Sequence, residues 1–239
     1  MFEKITSNSL RERIARQIRN AILGGQLQEG SKLVERTLAA ELGASLTAVR
    51  EGLIELEWEG FIVKKKNSGT HVVKLTPPDV AKIFQVREVL EALAFAEAAR
   101  HATTAQITAL ERAYREMVEA ANNKDALLYN QKDVAFHLVV WTAADNEFLQ
   151  AALRRAVLPY FTYTAIRIAS VDPMVLCQDA TAHLPLLEAI RAHDPEAAQK
   201  LFVNNVEEWL AIASAELAEG LPAAALDNSA IGHDKVALV

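Results

Sequence analysis

Cysteine is nearly absent from this chain: Cys177 is the only one among 239 residues. A lone thiol excludes an internal disulfide framework and fits a reducing compartment, and in an apolar helical stretch it reads as packing. Long apolar runs are also missing. Nothing approaches the roughly 18–20 consecutive apolar residues that cross a bilayer. Met1–Leu10 lacks the basic and apolar regions of a secretion signal, so a soluble, cytoplasmic chain is expected. No HExxH-like spacing, glycine-rich phosphate loop or serine-nucleophile motif is present, which removes the commonest routes to enzymatic function. Strand-like alternation does not reappear after residue 75.

What is present divides unevenly. Hydrophobic residues make up 51% of the chain, ample for a packed core, and the net charge is −6. Residues 1–75 carry 12 Lys and Arg against 9 Asp and Glu, a balance of +3, whereas residues 76–239 carry 13 against 22, a balance of −9. A basic end on an acidic body suits a protein that meets nucleic acid with one part only.

The basic end has an ordered pattern between Leu33 and Val73. Leu38, Ala39 and Leu42 mark one helix, Gly43 a turn, and Ser45 caps a second helix carrying Val49, Leu53 and Leu56 at helical spacing. Gly60 closes that helix. Phe61–Val63 and His71–Val73 read as strands joined by Asn67-Ser68-Gly69, with Lys64, Lys65 and Lys66 on the hairpin. Ser9–Leu23, followed by Gly24-Gly25, forms a supporting helix. The outline is a winged helix-turn-helix, in which the lysines face phosphate. A solvated lysine face on a small helical domain is the alternative from spacing alone.

Leu75-Thr76-Pro77-Pro78-Asp79 is the expected linker, with Asp79 capping the next helix. Beyond it an apolar period of 3.6 predicts an all-α bundle, with helices near 79–101, 104–122, 124–144, 146–170, 173–192 and 195–218. Pro159 should kink or split the fourth. The predicted class is mainly α: residues 1–75 form the winged helix-turn-helix, 76–222 an all-α bundle, and 223–239 a surface tail. Asp133 and His137 stand one helical turn apart, a metal-ligand spacing, and His183 lies on another helix. Local caps and salt bridges would account for the same residues. His71, His101, His193 and His233 have no partner at ligand spacing.

Ile18-Arg19-Asn20-Ala21-Ile22-Leu23-Gly24-Gly25, Gly30-Ser31-Lys32-Leu33, Leu38-Ala39 and Val49-Arg50-Glu51-Gly52-Leu53 together resemble the N-terminal domain of GntR-family transcription regulators. Through Arg87, Glu91, Asp133-x-x-Phe136-His137, Asn146 and Ala182-His183, the bundle resembles the FadR-type effector domain called FCD. The resemblance covers almost the whole chain. It implies a homodimeric regulator, a repressor in the leading reading, that binds a palindromic double-stranded DNA operator and responds to a small organic-acid effector. Carried over by position, the DNA contacts are Arg36, Thr47, Arg50, Ser68 and Gly69, and they join Ser45, Lys64, Lys65 and Lys66 from the reading of the residues themselves.

Two positions depart from the family pattern. Leu46 stands where arginine is usual and Ala48 where proline is common, so the operator sequence is open. In the family's metal-binding members an aspartate and three histidines hold the ion. Asp133, His137 and His183 match three of them, and Asn205 replaces the fourth with a weaker ligand for zinc or nickel. The implied effector site comprises Arg87, Asp133, His137, Arg167, His183 and Asn205, with Arg87 facing a carboxylate or else pairing at the surface with Glu91. Two other functions stay open from the residues: a metal-dependent hydrolase or oxygenase in the bundle, or an architectural DNA-binding protein with an apolar bundle interior.

Overall fold

In the computed structural model, which describes residues 10–167 and 173–218, the chain starts with α1 (Leu10–Leu23). Ile14, Ala15, Ile18 and Ile22 fall on one face of α1 and are buried, as the 3.6-residue period requires. A short strand β1 (Lys32–Leu33) leads to α2 (Glu35–Leu42). Gly43 ends α2 with φ +58°, a left-handed conformation that costs glycine nothing. Ser45 then caps α3 (Leu46–Trp58), its side chain accepting from the Ala48 amide at 3.2 Å. Strands β2 (Ile62–Lys65) and β3 (Gly69–Val72) complete an antiparallel sheet of order β1-β3-β2. The hairpin was legible; the strand β1 was not, because two residues show no alternation.

Helix α3 crosses α1 closely at Gly52. A Cβ there would lie 2.7 Å from Ile14 Cγ2 and 3.2 Å from Ile14 Cβ. Both are stiff atoms of a β-branched side chain. Gly52→Ala is therefore expected to destabilise the winged unit by about 1–3 kcal/mol despite alanine's better helix propensity. Urea unfolding measures this, and a raised midpoint would show that α1 yields.

The junction differs from the expected linker. Helix α4 (Pro77–His101) includes both prolines in its first turn, where missing amide donors cost nothing. Thr76 is the N-cap residue, and Asp79 is the third helical residue, accepting from the Thr76 amide at 3.0 Å and its hydroxyl at 2.6 Å. The hydroxyl and amide hydrogen bonds from Thr76 hold the Asp79 carboxyl below its usual range.

Next come α5 (Thr104–Asn122), α6 (Ala126–Ala143), α7 (Glu147–Arg167), α8 (Pro173–Arg191) and α9 (Pro195–Ala218). Capping residues set several starts: Asp125 accepts from Leu128, Asn146 from Leu149 and Asp194 from Ala197. Pro159 does not divide α7, and α8 likewise runs through Pro185. Phe84, Phe95, Phe136, Trp141 and Phe202 fill the bundle core. Cys177 packs against a smaller apolar cluster around Met117 and Tyr129. The expected tail and His233 lie outside the described residues. None of the described helices is long and apolar enough to cross a membrane.

Candidate functional site

Three helices of the bundle carry polar residues four apart on faces that are otherwise apolar. They are Arg87 and Glu91 on α4; Tyr129, Asp133, His137 and Trp141 on α6; and Asp179 and His183 on α8. At that spacing each set projects from one face. The fold turns these faces toward one another, so sequence neighbours one turn apart become a single buried cluster.

Glu91 is its hub. Its carboxylate accepts from Arg87 Nε at 2.6 Å and from Trp141 Nε1 at 3.0 Å, and lies 2.7 Å from His137 Nδ1. The last distance is that of a close ionic contact between carboxylate and imidazole. Burial opposes the charge on Glu91, yet Arg87 and His137 outweigh it and hold the carboxyl at about 2. The Arg87 guanidinium lies 5.1–5.5 Å from the ring centres of Phe84, Tyr160, Phe161 and Trp209. The Arg87–Glu91 pair is thus buried, correcting the surface pairing considered from sequence.

Asp133, His137 and His183 converge. Their ligand-capable atoms all lie within 4.8 Å of one another. Asp133 Oδ1 is 3.3 Å from His183 Nε2 and 3.5 Å from His137 Nε2. Asp133 Oδ1 and His183 Nε2 are buried, and their polar contacts are the ion pairs within this trio, which lack good hydrogen-bond geometry. His183 Nδ1 lies 2.8 Å from the Asp179 carbonyl, an outer contact that leaves Nε2 for the site. Burial works against a charged His183, but the Asp133 and Asp179 carboxylates raise its pKa to about 9. Burial likewise opposes ionisation of Asp133, and His183 and His137 pull its pKa below the usual value. This donor set, carboxylate with two imidazoles, fits a divalent transition metal. The architectural alternative needed Asp133 and His183 far apart, and they are not.

Other residues extend the cluster. Tyr129 donates its hydroxyl to Asp179, and Asn130 donates to the Phe161 carbonyl at 3.3 Å and Thr164 Oγ1 at 3.0 Å. Trp209 stacks on His183 with ring centres 5.5 Å apart. The sequence reading passed over Tyr129, Trp141 and Asp179 as site residues, although their four-residue spacing from Asp133, His137 and His183 was a usable signal. Asn205 donates its amide to the Ala182 carbonyl at 3.0 Å, leaving its side-chain oxygen as the only atom able to ligate. Arg167 is elsewhere. It pairs with Glu29 between α1 and β1 and sits 3.8 Å over Tyr163, so its place is the junction with the winged unit.

At the other end of the chain, α3 presents Thr47 and Arg50 to solvent, with Arg36 exposed on α2. Arg50 Nε donates to Glu35 at 2.7 Å, and Lys64 Nζ to Glu57 at 2.6 Å. Lys65 and Lys66 are exposed at the wing, and Ser68 Oγ lies 2.9 Å from His71 Nε2. Gly69 has φ +94°.

Residues 10–72 match the family described as bacterial regulatory proteins, gntR family, and residues 82–208 match the FCD domain. The chain belongs to the GntR family. It is a transcription regulator with a DNA-binding winged helix-turn-helix and an FCD effector domain. A relative from Paenarthrobacter nicotinovorans, named "Probable D-xylose utilization operon transcriptional repressor", is 31% identical over 210 residues, covering 84% of this chain and 88% of its own. The gluconate operon transcriptional repressor of Bacillus subtilis is 30% identical over 138 residues, covering 58% of this chain and 56% of its own. Among solved structures, one described as E. coli McbR/YncC shares the fold at 21% identity and TM-score 0.67, over 88% of this chain and 99% of that one. These relatives give the hydrolase or oxygenase alternative no support.

Proposed function

We propose that this GntR-family protein is a homodimeric, cytoplasmic repressor that reads a palindromic operator and is relieved by a small organic acid bound in its FCD domain. The first turn of α3 enters the major groove with Thr47 and Arg50, while Ser45 caps it. Arg36, Lys64, Lys65, Lys66 and the Ser68-Gly69 wing tip hold the DNA backbone. Asp133, His137 and His183 hold a divalent metal, zinc or nickel, with the Asn205 oxygen as a weak fourth donor. When bound, the ion supplies a Lewis-acidic anchor for carboxylate oxygens. Arg87 adds positive charge beside it, and the aromatic rings around Arg87 exclude water. Gluconate, named for one relative, has the required chemistry of a carboxylate with neighbouring hydroxyls. Effector acts only through a difference in its affinity for DNA-competent and DNA-incompetent dimers.

The observation that carries the effector site is the convergence of Asp133, His137 and His183, buried and with their ligand-capable atoms within 4.8 Å of one another. Metal analysis of tag-free protein should find about one ion per chain in the wild type and strong loss in His137→Ala and His183→Ala. Equal metal content in all three proteins would refute the site.

A further inference from the structure

Helix α7 touches both functional parts of the chain. Along its middle, Tyr160 and Phe161 flank Arg87, and the Phe161 carbonyl accepts from Asn130 beside the metal-ligand cluster. At its C-terminal end Ile166 packs against the core of the winged unit. Arg167 lays its guanidinium across both oxygens of Glu29, with Nη2 2.5 Å from Oε2. A bidentate pair of this kind fixes direction as well as distance, and stacking over Tyr163 limits the arginine further.

A second contact lies nine residues back, about 13 Å along the helix axis. Gly60, at φ +78° between α3 and β2, meets the backbone of Leu158 so closely that a Cβ there would fall 2.6 Å from the Leu158 carbonyl carbon. Only glycine permits this approach. The chain connection into α4 is a third attachment, and three separated attachments fix a rigid body against rotation. Gly60 adjoins both the recognition helix and the wing, so this seat bears directly on where α3 points.

We propose that α7 is the docking rail for the winged helix-turn-helix of its own chain. The Glu29–Arg167 clamp and the Gly60–Leu158 seat are positioning elements that set the half-site spacing the dimer accepts. This rests on the dimeric, palindromic reading above. The clamp is part-exposed, with side-chain accessibilities of 18% for Glu29 and 35% for Arg167, so reversing its charges alters docking without emptying a core.

Two measurements test it on the full chain. Spin labels at Lys66→Cys on the wing and Glu119→Cys on α5, in a Cys177→Ser background diluted with unlabelled protein, report the intramolecular distance without DNA. A narrow distribution is expected, broadened by Arg167→Glu and narrowed again in Glu29→Arg/Arg167→Glu; Glu29→Gln should broaden it less. In DNA selection from duplexes with two half-sites at varied separation, the wild type should enrich one spacing and Arg167→Glu several. Affinity for a single half-site should stay the same, and the double variant should recover one spacing. A merely structural loss would lower single-site affinity too and would not be rescued by the swap. An unchanged distance distribution in Arg167→Glu, or no rescue by the swap, overturns the proposal. Wild-type selection of unpaired half-sites would instead sink the palindromic-dimer reading, and the distance measurement alone would then judge the clamp.

Discussion

Glu91→Ala is expected to lower stability by about 3–5 kcal/mol, the cost of leaving a buried charge without its partner. Arg87 is 3% exposed and Glu91 fully buried, so water cannot replace the lost carboxylate. Trp141 Nε1 would lose its acceptor as well. At about 2–4 °C per kcal/mol for a chain of this size, the melting temperature should fall by on the order of 10 °C. Glu91→Gln should cost less, because an amide oxygen still accepts from Trp141. Removing both charges in Arg87→Met/Glu91→Leu should recover most of the loss, since a buried pair replaced by apolar groups of similar volume is often neutral. A melting temperature for Glu91→Ala within about 2 °C of wild type would show that the cluster tolerates an unpaired guanidinium.

Arg50→Ala is expected to remove about 1–3 kcal/mol of specific DNA binding, roughly a fivefold to 150-fold weaker affinity for duplexes that the wild type enriches from random sequence. Arg50 lies on the outer face of α3 with its side chain 60% exposed, oriented through Nε by Glu35 on α2. That bond leaves the two terminal guanidinium nitrogens for a guanine edge. Because Arg50 packs into no core, the fold should be unaffected. Lys66→Ala should differ in kind, weakening all duplexes about equally and reducing the salt dependence, as loss of a phosphate contact does. Undiminished affinity of Arg50→Ala in a gel-shift titration would remove α3 as the reader. Leu46, 37% exposed beside Thr47, can touch a thymine methyl but cannot pair with a guanine edge, so the selected sequence should differ where an arginine would have read guanine.

The sequence by itself determined the helices and the β2–β3 hairpin, though not the two-residue strand β1. Gly43 in a left-handed turn, Ser45 at a helix start and the Asn67-Ser68-Gly69 turn act within a few residues, and such signals survive without tertiary contacts. Asp133 and His137 were readable for the same reason, since one helical turn brings them together. Local rules also explain the misplaced linker: proline reads as a break, yet at the first turn of α4 it is compatible with a helix.

Tertiary structure alone decided what the charged residues of the bundle do. Glu91 becomes the hub only because α4 faces α6, and His183 reaches Asp133 only because α8 closes beside them. The same physics moved Arg167 from the expected effector site to Glu29, 138 positions away in the chain. A long cationic side chain takes whichever carboxylate the packing offers, and no period in the sequence encodes a partner so distant.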